Sequence, residues 1–356
     1  MISDYKKEME DLVVIVTREG ASDLHLTVGR PPTIRVSGDL IPIVKKSPLT
    51  SADTLGLVSA ILSEESQKEF LARRDIDFSY SLPSGVRFRG NAFYQKGMVG
   101  ASFRLIPLKI KSLEELSLPA QLAEFARREQ GFFLVVGPVG QGKSTTLASL
   151  VDLINHERSE HIVTVEDPIE YIFTNDRSII DQREVRFDTT DFHSALRAMF
   201  RQDVNVGMVG EMRDSATMAT AVTAAETGHL IFSTLHTNSA SQTIDRIIDT
   251  FPSTQQRQIR VQLAGSLIGI FSQRLVPRVS GGLIPAYELL INTNAVANLI
   301  REGRTAEIDV LIETGAEEGM VDLNHSLAEL TRRGEINAES AFRYSLDTRA
   351  LERLMG

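Results

Sequence analysis

The sequence predicts an α/β protein: a largely parallel sheet covered by helices, with a smaller α+β domain before it and helices after it. Three observations carry this. From about residue 119, short apolar runs alternate with stretches of helical periodicity. The first of these runs, FFLVV at 132–136, enters GPVGQGKSTT, a glycine-rich turn that opens a helix. Before residue 107 the short runs alternate apolar with polar at period two, interrupted by helical stretches.

In chain order, an amphipathic helix over about 4–18 ends near Gly20, followed by the extended runs SDLHLTV and PTIRVSGDLIPI. SADTLGLVSAILSEESQKEFLARR reads as one helix capped at Ser51, and DIDFSYSL, GVRFRGNAFYQKG and VGASFRLIP as strands. These make a first domain over 1–106. PLKIKSLEELSLP, bracketed by Pro107 and Pro119, reads as a linker over 107–119 with room for a short helix. The α/β core follows over 120–285, with HIVTVED, NVGMVGE and HLIFSTLH as buried strands beside FFLVVG. After about 286 the chain reads as helices only, a C-terminal region over 286–356.

With 356 residues there is length for two domains or three. No apolar run approaches the roughly 20 residues needed to span a bilayer, so no direct membrane insertion is expected. MISDYKKEMEDLVV lacks the order of a signal peptide, which points to the cytoplasm. The absence of cysteine excludes disulfides and thiolate metal sites. A net charge of −9 argues against nucleic acid as the main ligand and against docking on anionic lipid.

GPVGQGKS fits G-x-x-x-x-G-K-[ST], with Gly137, Gly142, Lys143 and Ser144 in the fixed positions. By average composition a chain of this length meets those positions by chance roughly 1% of the time. Glycines let backbone N–H groups converge on an anion, and the helix N-terminus adds its positive dipole end. Gly137, Gly140, Gln141, Gly142, Lys143, Ser144 and Thr145 are therefore the candidate nucleotide-binding set. Lys143 would reach the β- and γ-phosphates of ATP, and the Ser144 hydroxyl would ligate Mg²⁺.

In an open α/β sheet, ligands bind outside the carboxyl ends of the strands. IVTVED ends with Glu166 and Asp167, NVGMVGE with Gly210 and Glu211, and HLIFSTLH with His236. Glu166 and Asp167 alone would read as a solvated strand end. Together with the phosphate loop, these ends supply what is needed to hold Mg²⁺ and orient a water for in-line attack.

These residues resemble the secretion-type hexameric ATPases, and within them the type IV pilus retraction ATPases. The likeness runs over nearly the whole chain: ASDLHLTVGRPPTIRVSGDL, the phosphate loop, VTVEDPIEY, VGEMRD, the histidine box from Gly228 to His236, TLHTNSASQTIDRIID, QRLVPR and NLIREGR. The resemblance implies a RecA-like P-loop core, a PAS-like first domain and a helical C-terminal extension. It implies Glu166 as the group that polarises the attacking water and Glu211 in the Mg²⁺ shell, partly through water. It implies His229 and His236 as a pair that senses the γ-phosphate or links the site to a neighbouring subunit; on its own residues, His229 beside Gly228 fits a satisfied histidine next to a helix end. Arg104, with Arg87 and Arg89 on one strand face, is implied as an arginine completing an ATP site between domains or subunits. Arg87 and Arg89 fit a solvated strand face equally well.

As a whole the resemblance implies a homohexameric motor that hydrolyses ATP to disassemble a pilus in twitching motility. It would sit peripherally at the inner-membrane base of the pilus machine, against a platform protein, with a paralogous retraction ATPase as a further partner. Extension and type II secretion ATPases usually carry a longer N-terminal region and a four-cysteine zinc element, which this sequence does not match. A nucleic-acid translocase lacks support in the acidic balance. A non-hydrolysing regulatory subunit lacks support where Lys143, Ser144, Glu166, Glu211 and His236 are all present. The sequence departs from the family's usual runs at Val139 and Gln141 in the loop, at Asn205 and Gly207 before VGEMRD, and at Ala297 in the helix ending NLIRE. Gly207, in an expected buried strand, should cost roughly 0.5–1 kcal/mol relative to a side chain that packs.

Overall fold

The computed structural model describes residues 2–36, 38–82, 85–107 and 109–356, with side chains from Asp4 onward. Ser37 of the PTIRVSGDLIPI run and Leu108 of the linker lie outside the described residues. The chain forms two compact units, one running to Lys109 and including Glu170–Ile172, the other made of Ile110–Ile169 and Phe173–Gly356.

The first unit is an antiparallel sheet of β1 (Asp23–Leu26), β2 (Thr33–Val36), β3 (Asp39–Pro42), β4 (Asp75–Ser81), β5 (Arg87–Gln95) and β6 (Met98–Ile106). Their order is β3-β2-β1-β6-β5-β4. The helix Ile2–Arg18 buries Met9, Leu12, Val13 and Val16, the i, i+3, i+4, i+7 face of an amphipathic helix, in a core shared with Leu24, Phe78, Phe88 and Phe103. Lys96 and Gly97 both take positive φ (50° and 77°), the two-residue turn whose twist suits the β5–β6 hairpin. The stretch after Thr50 is two helices, Ser51–Ser59 and Glu64–Arg73, rather than one. Thr50, not Ser51, caps the first through a reciprocal pair with Asp53, and the Ser63 hydroxyl caps the second by accepting from Ser66 N–H. Serine in mid-stretch is a second start signal that apolar periodicity alone reads through.

In the second unit, seven strands follow the order β13-β12-β7-β11-β10-β8-β9. They are β7 (Gly131–Val136), β8 (His161–Glu166), β9 (Ile179–Glu184), β10 (Val206–Val209), β11 (Leu230–Leu235), β12 (Leu267–Pro277) and β13 (Leu283–Ile291). All neighbours are parallel except the β12–β13 hairpin. β7, β8, β10 and β11 match the apolar runs of the sequence. β12 escaped that reading because Ser272, Gln273 and Arg274 break its apolar run, yet all three are buried. Residues 283–291 pair with β12, so the change to helices comes after Ile291 rather than at about 286.

The linker residues described hold turns and no helix before Leu122–Ala126. The helices Asn294–Glu302 and Ile308–Thr314 bury Val296, Ile300, Ile308 and Ile312 in the core of the sheet. The last three, Leu323–Arg332, Ala338–Tyr344 and Thr348–Met355, close a smaller core over Val276, Ile284 and Ala286 of the hairpin. No described helix is long and apolar enough to cross a membrane.

Candidate nucleotide site

β7 is buried along its whole length and delivers the chain to Gly137 at the carboxyl edge of the sheet. Gly137 takes φ 145°, and a Cβ there would lie 2.5 Å from the Gln273 carbonyl oxygen of β12. Only glycine fits so close a backbone approach. Gly142, left-handed at φ 78°, is the N-cap of the helix Lys143–Glu157, and no side chain caps its first turn. A helix start of that kind leaves its leading N–H groups directed at the loop, where an anion binds. Ser144 is exposed there and Thr145 half-buried.

Lys143 is the buried member of the loop. Its Nζ donates to Gly137 O (2.8 Å) and Pro138 O (2.9 Å) and lies 3.2 Å from Nδ1 of His236. An ammonium can only donate, so Nδ1 is the unprotonated ring nitrogen and the proton sits on Nε2. Nε2 in turn faces Glu211, 3.6 Å from Oε2. Lys143, His236 and Glu211 therefore form a chain across the ends of β7, β11 and β10. Glu211 also pairs with Arg213, whose guanidinium is held charged by that carboxylate. The end of β10 is fixed from β11: Ser233 Oγ donates to Val209 O (2.8 Å) and Thr234 Oγ1 to Gly210 O (2.6 Å). Glu166, at the end of β8, is buried and accepts from Thr164 Oγ1 (2.7 Å) and Gln182 Nε2 (3.2 Å).

The edge thus brings together the loop 137–145, Glu166, Glu211 and His236. It does not bring His229. That residue precedes β11, so the length of a six-residue strand, about 20 Å, separates it from His236. Its Nδ1 hydrogen-bonds Ala224 O (3.0 Å) and its ring meets Phe200 edge-on, the environment of a satisfied structural histidine. Arg104 belongs to the first unit, where its Nε donates to the buried Asp23 (2.9 Å) and Arg89 stands opposite it in register.

The departures from the family's usual residues have local accounts. Asn205 lies at the amino edge, where its Oδ1 accepts from His161 N–H (2.9 Å), a bond an aspartate oxygen would also make. Gly207 leaves no gap: a Cβ there would collide with the Met199 methyl and lie 2.8 Å from Ile231 Cδ1. Met199 fills the space, so the expected cost of glycine is offset by packing from the opposite layer. Gln141 is turned to β12, accepting from Leu275 N–H with its side chain (2.6 Å). Ala297 is 5% exposed, on the buried face of its helix.

Sequence reasoning missed the partners behind the loops. Gln273 accepts from Thr146 Oγ1 (2.7 Å) and donates to Gln141 O (2.8 Å), tying the phosphate loop to β12. The signal was present as a polar QR pair inside an apolar run.

Comparison with known proteins gives the family. The family described as type II/IV secretion system protein matches residues 100–347. The chain is 42% identical over 334 residues to the Pseudomonas aeruginosa type IV pilus retraction ATPase PilT, covering 94% of this chain and 97% of that one. It is 41% identical over 322 residues to a twitching motility protein of Neisseria gonorrhoeae, covering 90% of this chain and 86% of that one. Among solved structures, that of the pilus retraction motor PilT with bound ADP superposes with a TM-score of 0.91 at 43% identity, covering 96% of this chain and 98% of that one. The chain belongs to the type II/IV secretion system protein family.

Proposed function

We propose that the chain hydrolyses ATP at the carboxyl edge of its core sheet and, as a ring of six copies, spends the energy on retracting a type IV pilus. The observation that carries this is the Lys143–His236–Glu211 chain beside the buried Glu166, on a phosphate loop whose glycines take left-handed backbone. The likeness to PilT supports the direction of work.

The donor set suits Mg²⁺. The exposed Ser144 hydroxyl and the Glu211 carboxylate are hard oxygen donors, and no cluster of three or more His, Asp or Glu among the described residues forms a protein cage. Mg²⁺ typically keeps several waters and takes phosphate oxygens alongside one or two protein ligands. When bound with ATP it neutralises charge developing on the transferred phosphoryl group.

The chain's own residues do the rest. Lys143 exchanges its hold on Gly137 O and Pro138 O for phosphate oxygens. Glu166, kept in one orientation by Thr164 and Gln182, accepts a hydrogen bond from the attacking water and polarises it. His236 carries its proton on Nε2 and reports γ-phosphate to both Lys143 and Glu211. Arg104, drawn from Asp23, is the arginine that completes the site of a neighbouring copy. His229 acts outside the phosphate cluster. The motor works on the cytoplasmic side, against an inner-membrane platform protein and alongside a paralogous retraction ATPase.

Mg²⁺-dependent phosphate release by wild type and Glu166→Gln tests the chemistry. The variant should lose about 10²–10⁴-fold in turnover while still binding ADP; equal rates would remove Glu166 from the mechanism. Deleting the gene tests direction: excess surface pili with lost surface motility is expected, and absent pili would move the chain to the extension class.

A further inference from the structure

β12 holds both halves of the nucleotide site, one from each face. Gln273 points to the phosphate loop and grips Gln141 and Thr146. Its neighbours Ser272 and Arg274 point the other way, by the period-two alternation of a strand, and grip the segment that follows His236. Ser272 Oγ donates to Asn238 O (3.1 Å), and Arg274 Nη2 donates to Asn238 O (3.2 Å) and Oδ1 (2.9 Å). Two residues further on, the Ala240 N–H, first of the helix Ala240–Asp249, donates to Oε1 of Glu288 at 2.7 Å. Glu288 is the register partner of Ser272 on β13. Arg274 and Glu288 are 7% and 9% exposed, so a guanidinium and a carboxyl are both buried behind the four-residue loop 236–239.

We propose that Arg274 and Glu288 are positioning residues for turnover: together they clamp residues 238–240 so that His236 stays between Lys143 and Glu211, and the ionised form of Glu288 holds the clamp shut. The inference rests on the ATPase reading above for its catalytic consequence.

The choice of residue supports it. Glutamine would accept from Ala240 N–H only as a neutral, weaker acceptor, whereas a carboxylate makes that bond charge-assisted and adds an attraction to the helix N-terminus and to Arg274. Arg274 has a buried Nη1 without a hydrogen-bond partner, and burial works against its charge while the Glu288 carboxylate supports it. Burial lifts the Glu288 carboxyl from 4.5 to about 7, helped by Asp309 and Asp322 and opposed by the Ala240 N–H and Arg274. The carboxyl therefore changes charge near neutral pH, and the clamp with it.

The full-length protein is tested as wild type and Glu288→Gln by two readouts over pH 5.5–8.5. In wild type, kcat for ATP should rise with pH along a limb centred near 7, while KM stays level because the phosphate loop is held separately through Gln273. In Glu288→Gln that limb should flatten, with kcat at pH 8 lowered roughly tenfold, the loss typical of one charge-assisted hydrogen bond. Hydrogen exchange of residues 236–243 should quicken roughly tenfold in the variant at pH 8, with 143–157 unchanged. Superimposable kcat profiles and exchange rates would overturn the proposal. A wild type that hydrolyses no ATP but shows the exchange difference would sink the ATPase reading and leave the clamp standing. Arg274→Lys, which keeps the charge but not the fork, should show the same localised quickening of exchange; protection equal to wild type would count against the clamp.

Discussion

The two ends of β11 carry a histidine each, and the pair shows how a parallel sheet sorts chemistry. His236, just past the carboxyl end, meets Lys143 and Glu211, residues remote in sequence that share its edge because β7, β10 and β11 run parallel. The ring of His229, just before the amino end, meets the close of the preceding helix and Phe200. Seven residues apart in one motif, they differ in every neighbour. The same division separates Glu166 and Glu211 at the carboxyl edge from His161 and Asn205 at the amino edge, where His161 N–H donates to Asn205 Oδ1 and the His161 ring bonds Gln202 O, stitching the start of β8 to the start of β10. Sequence proximity marks a motif, but strand polarity decides which of its members reach the carboxyl edge.

The largest test of that contrast is the pair His236→Ala and His229→Ala, read by turnover and ADP affinity. The first should lose about 10²–10³-fold in kcat, the scale of removing a preorganised polar group from a charge-stabilising site. The second should stay within about threefold in kcat and lose about 1 kcal/mol of stability for its hydrogen bond and ring contact. Comparable losses of turnover would mean that the amino edge takes part, through assembly or otherwise, in the chemistry.

Buried charge sharpens the comparison further, because the residues behind the carboxyl edge include the buried pair Arg274 and Glu288. Glu288 binds its proton more tightly folded, near 7, than unfolded, near 4.5. Between those values the folded state therefore holds more protons than the unfolded one, and stability falls as pH rises across that window. Above pH 7 the whole cost is present, roughly 3 kcal/mol for a shift of this size. Glu288→Gln should match wild type near pH 4.5 and exceed it by about that amount at pH 8, as urea midpoints at the two values would measure. A variant that gains stability while losing turnover would mark Glu288 as kept for function; a gain at neither pH would mean that the carboxyl is not desolvated in solution.

Legibility in the sequence followed the same division between what lines the carboxyl edge of the sheet and what stands behind it. The strand–loop–helix around Lys143 was readable because glycine, lysine and hydroxyl spacing answers directly to phosphate geometry. Glu166, Glu211 and His236 were readable because each ends an apolar run. Arg274 and Glu288 were not, since a polar residue inside a strand carries no sign of the loop it will meet until the register of β12 on β13 is fixed. The helix break at Ser63 and the full span of β13 were lost for a related reason: caps and hairpin pairing compete with periodicity and are decided by partners elsewhere in the chain. The packing that fills the space beside Gly207 was not legible either, because it comes from Met199 and Ile231, on other elements.

The smallest expected effect lies at Asn205, where the sequence replaces the family's usual aspartate. Its Oδ1 accepts from His161 N–H, and its own N–H donates to His161 O (2.9 Å), so the residue staples the start of β8 to the start of β10. Neither bond needs a negative charge, and the position is a strand's length from Lys143. Asn205→Asp should therefore leave kcat and KM unchanged within about twofold and stability within about 0.5 kcal/mol, the range of substitutions that keep their contacts. The sign of any small effect follows from Asp181, whose carboxylate lies 3.0 Å from the His161 ring: an added carboxylate adds like charge to this edge and should lower stability slightly, more at low salt than at high. A large fall in turnover in Asn205→Asp, with stability intact, would show that the amino edge is coupled to the phosphate site and would weaken the division on which the two histidines are told apart.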